Sequence, residues 1–348
     1  MGNSPSQASN SVANMVQAQI TEFDKNFIDN LKGGTPHLRC MTIREQSEHA
    51  GINHALFMYQ LAVPSGSTNP PGQGYVPQQV ADGTIQNPIS LTVNQQNSQL
   101  GEYGDFATVS AFGQFAALDD ATLNTGKELS FRCALGVNDL AQATADTLNN
   151  TDSTVLTQIT SGSVLDLGTL RGNKQELEFR SCQPVRGGKG CGVICPLVLG
   201  DLWNGTTVNN SAVDFWKYTE GGQDKFDDMA GSQQDNPIEL PGTNIVFYQS
   251  PYVTQQANLN THGIAYRSYV YMKDAVVAIF ARVPGDVNVD DGDYRSIKVE
   301  LIRNLKGSAF DPLATIGNIA GYRYHVAFSI PPDTTMRSRQ LDSVSAFS

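Results

Sequence analysis

A chain of 348 residues with a net charge of -11, carrying 23 Lys and Arg against 34 Asp and Glu, lacks the clustered cations of a protein built to grip nucleic-acid phosphate. Charged residues make up 16% and hydrophobic residues 40%, with Gly, Asn, Gln, Ser and Thr between short apolar runs, which is the pattern of a β-rich, loop-rich globular protein. No run of about 18 apolar residues exists to cross a membrane as a helix, and Met1 to Asn14 has neither the basic segment nor the apolar core of an export signal.

After a polar start, Val12, Met15, Val16, Ile20, Phe23, Phe27 and Leu31 recur at helical spacing until Gly33-Gly34 and Pro36 end the pattern. One narrow apolar stripe at the edge of the chain needs something to lie against, either its own domain or a neighbouring subunit. Residues 42–63 mix strand-like and helical patterns. Pro64 to Pro88 follows, with Pro70, Pro71, Gly72, Gly74, Tyr75 and Val76 near its centre. So many Pro and Gly residues predict a long irregular loop, either an arm reaching outward or a plain surface loop.

From Ile89 the alternation predicts two strands joined as a hairpin near Gly101, with Leu91, Val93, Phe106 and Val109 facing a core. Asp119 or Asp120 can cap a helix whose apolar positions are Leu129, Cys133, Val137, Leu140, Thr144 and Leu148. Running to about Asn149, that helix would be a rod on the order of 45 Å long. Gly126 and Gly136 inside it predict close backbone packing or a bend. Beyond a short helical stretch near Val155, CGVICPLVLGDL reads as an apolar strand and a helix start. NIVFYQSPYV, IAYRSYVYM, AVVAIFARV, SIKVELIRNL and YRYHVAFSI read as strands. At Pro331-Pro332 the chain is expected to leave the sheet for a polar tail.

Sites of chemistry are hard to find in this pattern. His49 and His54 do not have the spacing that places two imidazoles on one helical face. The acidic run Asp286 to Asp293 resembles part of a calcium loop, but its Gly292 comes one position late and no closing Glu follows, so a solvated turn is the expectation. Arg186 to Gly190 is a glycine-rich turn without the order of a phosphate loop. The five cysteines, Cys40, Cys133, Cys182, Cys191 and Cys195, form no regular framework. Obligatory disulfide pairing is not expected from them, a reducing cytoplasm fits best, and Cys191 and Cys195 read as small apolar residues of a strand. The expectation is a protein with no catalytic residues, no metal and no cofactor.

The order of parts resembles the major capsid proteins of tailed bacteriophages with the Hong Kong 97-type fold, in the branch typified by the phage N-four capsid protein. The stretch from Ala81 to Asn149 carries the likeness most clearly, with Tyr103, Gly104, Asp105 and Phe106 resembling that branch's turn between a strand pair and a long helix. GVICPLVLGDLWN, WKYTEGG and NIVFYQSPYV are similar to its axial domain, and Asp311-Pro312-Leu313 with GNIAGYRYHVAF to its closing strands.

The resemblance implies an α+β fold with an N-terminal arm at 1–40, an extended loop with flanking strands at 41–100 and a peripheral domain with a spine helix at 101–162. An axial domain at 163–290 and a return to the peripheral domain with a C-terminal tail at 291–348 complete it. It also implies self-assembly into hexamers and pentamers of an icosahedral shell enclosing double-stranded DNA, made in the bacterial cytoplasm and residing in the virion. Portal and a separate scaffolding protein are implied partners, a decoration protein is an optional one, packaged DNA is touched only weakly, and no membrane is involved. Val16, Ile20, Phe23, Phe27, Pro70, Pro71, Tyr75 and Val76 are the candidate subunit-interface residues. A tail-tube or decoration protein is the nearest alternative, which a single helix of roughly thirty residues would disfavour. A β-rich hydrolase is the other, and an accessible pocket with displaced titration would favour it.

Overall fold

The computed structural model describes residues 34–46, 51–61, 91–116, 121–148, 165–179, 182–185, 187–204, 237–240, 243–256, 264–281, 297–303, 316–331 and 337–344. The helical stripe before Gly33, the Pro64 to Pro88 loop, the stretch near Val155, WKYTEGG, the acidic run and Asp311-Pro312-Leu313 lie outside the described residues. So do all eight candidate interface residues.

The fold is α+β, with strands gathered into two large sheets. The first contains β1 (Thr42–Gln46), β4 (Gly101–Ser110), β10 (Val277–Ala281), β11 (Ile297–Arg303) and β12 (Ile316–Ser329). Long β12 is the organiser: β4 runs antiparallel along one edge, while β11 and β10 follow each other along the opposite edge. β1 then adds to β10 in parallel, pairing Thr42 with Val277. The strands expected from AVVAIFARV, SIKVELIRNL and YRYHVAFSI all form, because their β-branched and aromatic residues suit a pleated, buried surface.

The hairpin expected around Gly101 does not form. β3 (Leu91–Gln99) pairs with β2 (Asn53–Leu61) in a separate two-stranded ribbon, while β4 pairs with β12. At the junction the Leu100 amide donates to the Ile52 carbonyl at 2.8 Å. Two alternating segments in sequence look alike whether they pair with each other or with distant partners, and only β12, two hundred residues later, decides the matter. Tyr103 to Phe106 are likewise not a turn. They lie inside β4, opposite Tyr324 to Gly321, where Gly104 lets the backbone approach closely: a Cβ there would sit 2.6 Å from the Tyr322 carbonyl oxygen.

After α1 (Pro36–Arg39) and the short α2 (Ala111–Ala116), the main helix is α3, Ala121–Asp146, 26 residues and about 39 Å long. Its middle packs Leu129, Cys133, Ala134 and Val137 against Ala278, Phe280, Ala320, Tyr324 and Val326 of the first sheet. Gly136 faces the Tyr324 hydroxyl, 3.3 Å from where a Cβ would be, which is the close approach expected there. Further along, the buried positions are Ala141 and Ala145, while Leu140 and Thr144 are half-buried. The contact row runs every fourth residue, and small Ala side chains let the helix settle into a second core.

That second core belongs to the other large sheet: β5 (Gly190–Ile194), β6 (Ile238–Glu239), β7 (Ile245–Gln249), β8 (Gln255–Gln256), β9 (Ala265–Tyr271) and β13 (Ser338–Val344). β5 is buried throughout and leads into α5 (Pro196–Asn204), as CGVICPLVLGDL suggests. Gly192 is required within β5, since a Cβ would lie 2.5 Å from the Phe247 ring and 2.7 Å from the Tyr269 carbonyl oxygen. α4 (Leu167–Phe179) is an additional helix beyond the elements expected from the sequence, with Asp166 accepting the Thr169 amide at 2.6 Å as an N-cap and Leu167, Leu170 and Leu177 buried.

Two further expectations are corrected. The polar C-terminal segment is not a tail where it is described: β13 runs antiparallel to β9, with Arg339, Gln340, Leu341, Asp342 and Ser343 buried. The Ser343 hydroxyl accepts the Leu165 amide at 3.0 Å, Gln340 donates to the Ala145 carbonyl, and Arg339 pairs with Glu176. And two cysteines do pair: Cys40 and Cys191 are disulfide-bonded across a sequence separation of 151, with Cα atoms 5.3 Å apart. Spacing in sequence could not foretell it, because α1 brings Cys40 to β5 only through tertiary packing. Cys195 is buried with a free thiol, as its packing role requires.

Candidate functional site

Two kinds of feature could carry function: polar groups collected inside the fold, and apolar groups left on its outside. The inner collection lies where α3 meets the second sheet. Arg267 on β9 donates to Asp342 on β13 and to Asp146 at the end of α3. Tyr269 and Thr254 also donate to Asp146, at 2.8 and 2.6 Å. The Asp342 hydrogen bonds raise the Arg267 pKa, and burial raises that of Tyr269. A fixed guanidinium between two carboxylates is a clamp between elements, worth having because each charge is hydrogen-bonded.

Beside this clamp, buried His37 of α1 has its Nδ1 2.9 Å from the Tyr271 hydroxyl and its ring edge-on to Tyr269, centroids 4.7 Å apart. Burial lowers its pKa to about 3 against the opposing field of Asp146. A displaced imidazole can signal a catalytic base. This one is fully buried, so no substrate reaches it. His54 lies in β2, and the described residues contain no group of three or more His, Cys, Asp and Glu able to hold a metal ion. Gly187 and Gly188 both adopt positive φ and make the tight turn before β5 expected of the glycine-rich segment.

The outer features are apolar. α3 covers one face of the first sheet; on the opposite face Phe106 is 70% exposed and Ile302 48%. With Ile319, Gly321 and the stems of Lys298 and Arg323 they line an open groove of about 300 Å³. Alternation along the sequence predicts Phe106 and Val93 to face a core. Both face outward, Phe106 because β4 turns Tyr103, Asp105 and Ala107 toward the helix side and opposes Phe106 with side-chain-free Gly321. Phe112 on α2 is 78% exposed, and Phe57 and Val93 on the β2–β3 ribbon are half exposed. Single exposed apolar residues are ordinary, but large aromatics on the ribbon, the sheet face and α2 together are what a protein enclosed by neighbours carries.

No protein-family model matches the sequence, and no curated protein matches it. Solved structures do match in shape. The capsid structure of cyanophage P-SCSP1u superposes with a TM-score of 0.53 at 10% identity, covering 88% of this chain and 87% of that one. The chain folds like a phage capsid subunit. The capsid of cyanophage Pam1 matches with a TM-score of 0.54 at 9% identity over 88% of this chain and 91% of that one. The head structure of Helicobacter pylori bacteriophage KHP40 gives 0.52 at 10% identity over 89% and 91%. The likeness in fold thus spans nearly the whole chain, while almost no residue identity survives. Such divergence is expected where a core needs volume and pattern rather than particular side chains.

Proposed function

We propose that this protein is a major capsid protein, self-assembling into hexamers and pentamers of an icosahedral shell that encloses the double-stranded DNA of a tailed phage. The observation that carries the reading is a capsid fold matched over about nine-tenths of the chain. The outward-facing aromatics on three separate elements support it, because a shell subunit must bury surface against several neighbours at once.

In this reading the arm spans 1–40, the extended loop and its strands 41–100, the peripheral domain 101–162 with its return at 291–348, and the axial domain 163–290. Val16, Ile20, Phe23 and Phe27 of the arm and Pro70, Pro71, Tyr75 and Val76 of the loop touch neighbouring subunits. Head-to-tail contacts of this kind close into rings when the rotation permits. Each contact can be weak, since a subunit held by one neighbour meets the next at high effective concentration. The role is structural rather than catalytic. A portal and a separate scaffolding protein take part in assembly in the host cytoplasm, with a decoration protein as an optional addition. The charge of -11 keeps contact with packaged DNA weak and salt-sensitive.

The 26-residue α3 disfavours a tail-tube protein, which would be mostly sheet. Sealed His37 gives the hydrolase reading no accessible base. Negative-stain electron microscopy of the chain, expressed alone and with its neighbouring genes, tests the proposal: closed particles or six- and five-membered rings are expected. Monomers under both conditions would overturn it.

A further inference from the structure

We propose that the Cys40–Cys191 bond is an oxidative lock, made in the already folded subunit by exchange with a low-molecular-weight disulfide. Both cysteines are held opposite each other by contacts that do not need the bond. The Cys40 amide donates to the His37 carbonyl at 3.0 Å, the His37 amide to Asn138 Oδ1 at 3.3 Å, and β1 immediately beyond is registered on β10. Cys191 sits in the middle of its sheet, paired with Val246 on one side and Tyr271 on the other. The reduced state is also provided for: Cys40 Sγ lies 3.6 Å from the Gly192 carbonyl oxygen, an acceptor for a thiol proton. A site satisfied with and without its covalent bond can fold first and oxidise later.

In the exchange, one cysteine thiolate attacks the small disulfide RSSR, forming a mixed disulfide and expelling one RS⁻. The second thiolate attacks the protein sulfur of that mixed disulfide and expels the other RS⁻. Two electrons pass from the cysteine pair to the reagent, the two thiol protons end on two RSH, and one protein S–S bond remains. Cys133 and Cys195 are buried, and burial raises their pKa values, while Cys182 is only partly buried and can take up the reagent as a mixed disulfide. Cys40 and Cys191 are themselves only 2% and 5% exposed, so the reagent reaches them only during local opening. The bond is therefore slow to form and equally slow to be reduced. Its effect is positional, because Cys40 follows directly on the segment leading out of residues 1–33, and the bond fastens the root of that segment to the second sheet.

The test uses the full chain, purified as subunits from a reducing cytoplasm under acid quench and alkylation, so it is independent of whether shells form. Five free thiols are expected at first. After treatment with oxidised glutathione, a Cys40–Cys191 linked peptide should appear by mass spectrometry with Cys133 and Cys195 still free thiols, whether or not partly buried Cys182 carries a glutathione. The cross-link should shift the folded-to-unfolded ratio on the order of a thousandfold, since it closes a loop of more than a hundred residues. That gain, read from guanidinium denaturation, should disappear on reduction of the wild-type protein and be absent in Cys191→Ser. A cross-link already complete in the quenched sample, a different cysteine pair, or an unchanged unfolding midpoint after cross-linking would each overturn the proposal.

Discussion

Arg267 grips Asp342 with two nitrogens, Nε to Oδ1 at 2.7 Å and Nη2 to Oδ2 at 3.0 Å, while its Nη1 reaches Asp146 at 3.0 Å. Three elements far apart in sequence, β9, β13 and the end of α3, meet on this one side chain. Asp342 is 1% exposed, so water cannot replace a lost partner. Asp342→Ala should cost about 3 to 5 kcal/mol in urea or guanidinium denaturation, because it strands part of a buried guanidinium. Arg267→Met combined with Asp342→Leu should cost less than the sum of the single changes. Additive losses would show that the pair acts only through separate packing.

His37 makes stability depend on pH in a definite direction. The unfolded ring takes a proton near pH 6.5, the folded one only near 3. The contribution is therefore complete above pH 6.5 and is lost as pH falls toward 3, by about 1.4 kcal/mol per pH unit at most. Carboxylates add their own acid dependence, but His37→Gln removes the histidine share alone. Denaturation midpoints measured from pH 7 to 4 should fall more steeply for wild type than for the variant. Parallel profiles would mean the ring is protonated in the fold.

Gly192→Ala should destabilise the second sheet by about 1 to 3 kcal/mol, the cost of forcing a methyl into filled space. Its Cβ would press on the Phe247 ring and on the Tyr269 carbonyl oxygen together. Phe247→Leu can relieve only the first of these, so partial rescue is the expected outcome, and full rescue would argue that the backbone moves freely.

Phe106→Asp and Phe112→Asp separate folding from assembly. Both side chains are mostly exposed in the subunit, so its unfolding midpoint should change by no more than about 0.5 kcal/mol. If neighbours cover these faces, sedimentation should show subunits in place of shells. Removal of residues 1–31 should act in the same way. Normal shells from the aspartate variants would exclude these two positions from the contacts.

Much of the fold could be read from the sequence where burial is apolar and continuous. β5, β9 and β10 announce themselves because both faces of each are covered, β7 and β12 because of their β-branched and aromatic residues, and α3 because Leu129, Cys133 and Val137 recur every fourth residue. β13 could not be read, since SRQLDSV is mostly polar and owes its place to buried Leu341, a salt bridge with Arg267 and hydrogen bonds to Ala145 and Leu165. Phe106 was assigned to the wrong side because alternation tells which residues share a face and not which face is covered. The Cys40–Cys191 pair depends on tertiary packing that spacing does not encode. The arm and loop residues proposed as contacts stand on the sequence alone, while the exposed aromatics of β4 and α2 needed coordinates to be noticed.

The parallel pairing of β1 with β10 has a kinetic meaning as well. Thr42 and Val277 stand 235 residues apart in the chain, and β4 waits similarly for β12. Neither edge of the first sheet can close early in folding, since each requires a large loop to be gathered before any ladder bond repays it. Refolding should be slow, and through that interval the open strand edges of many newly made copies are exposed to one another. The rate at which each copy shuts its own edges therefore sets how crowded a cell can become before chains associate by the wrong strands.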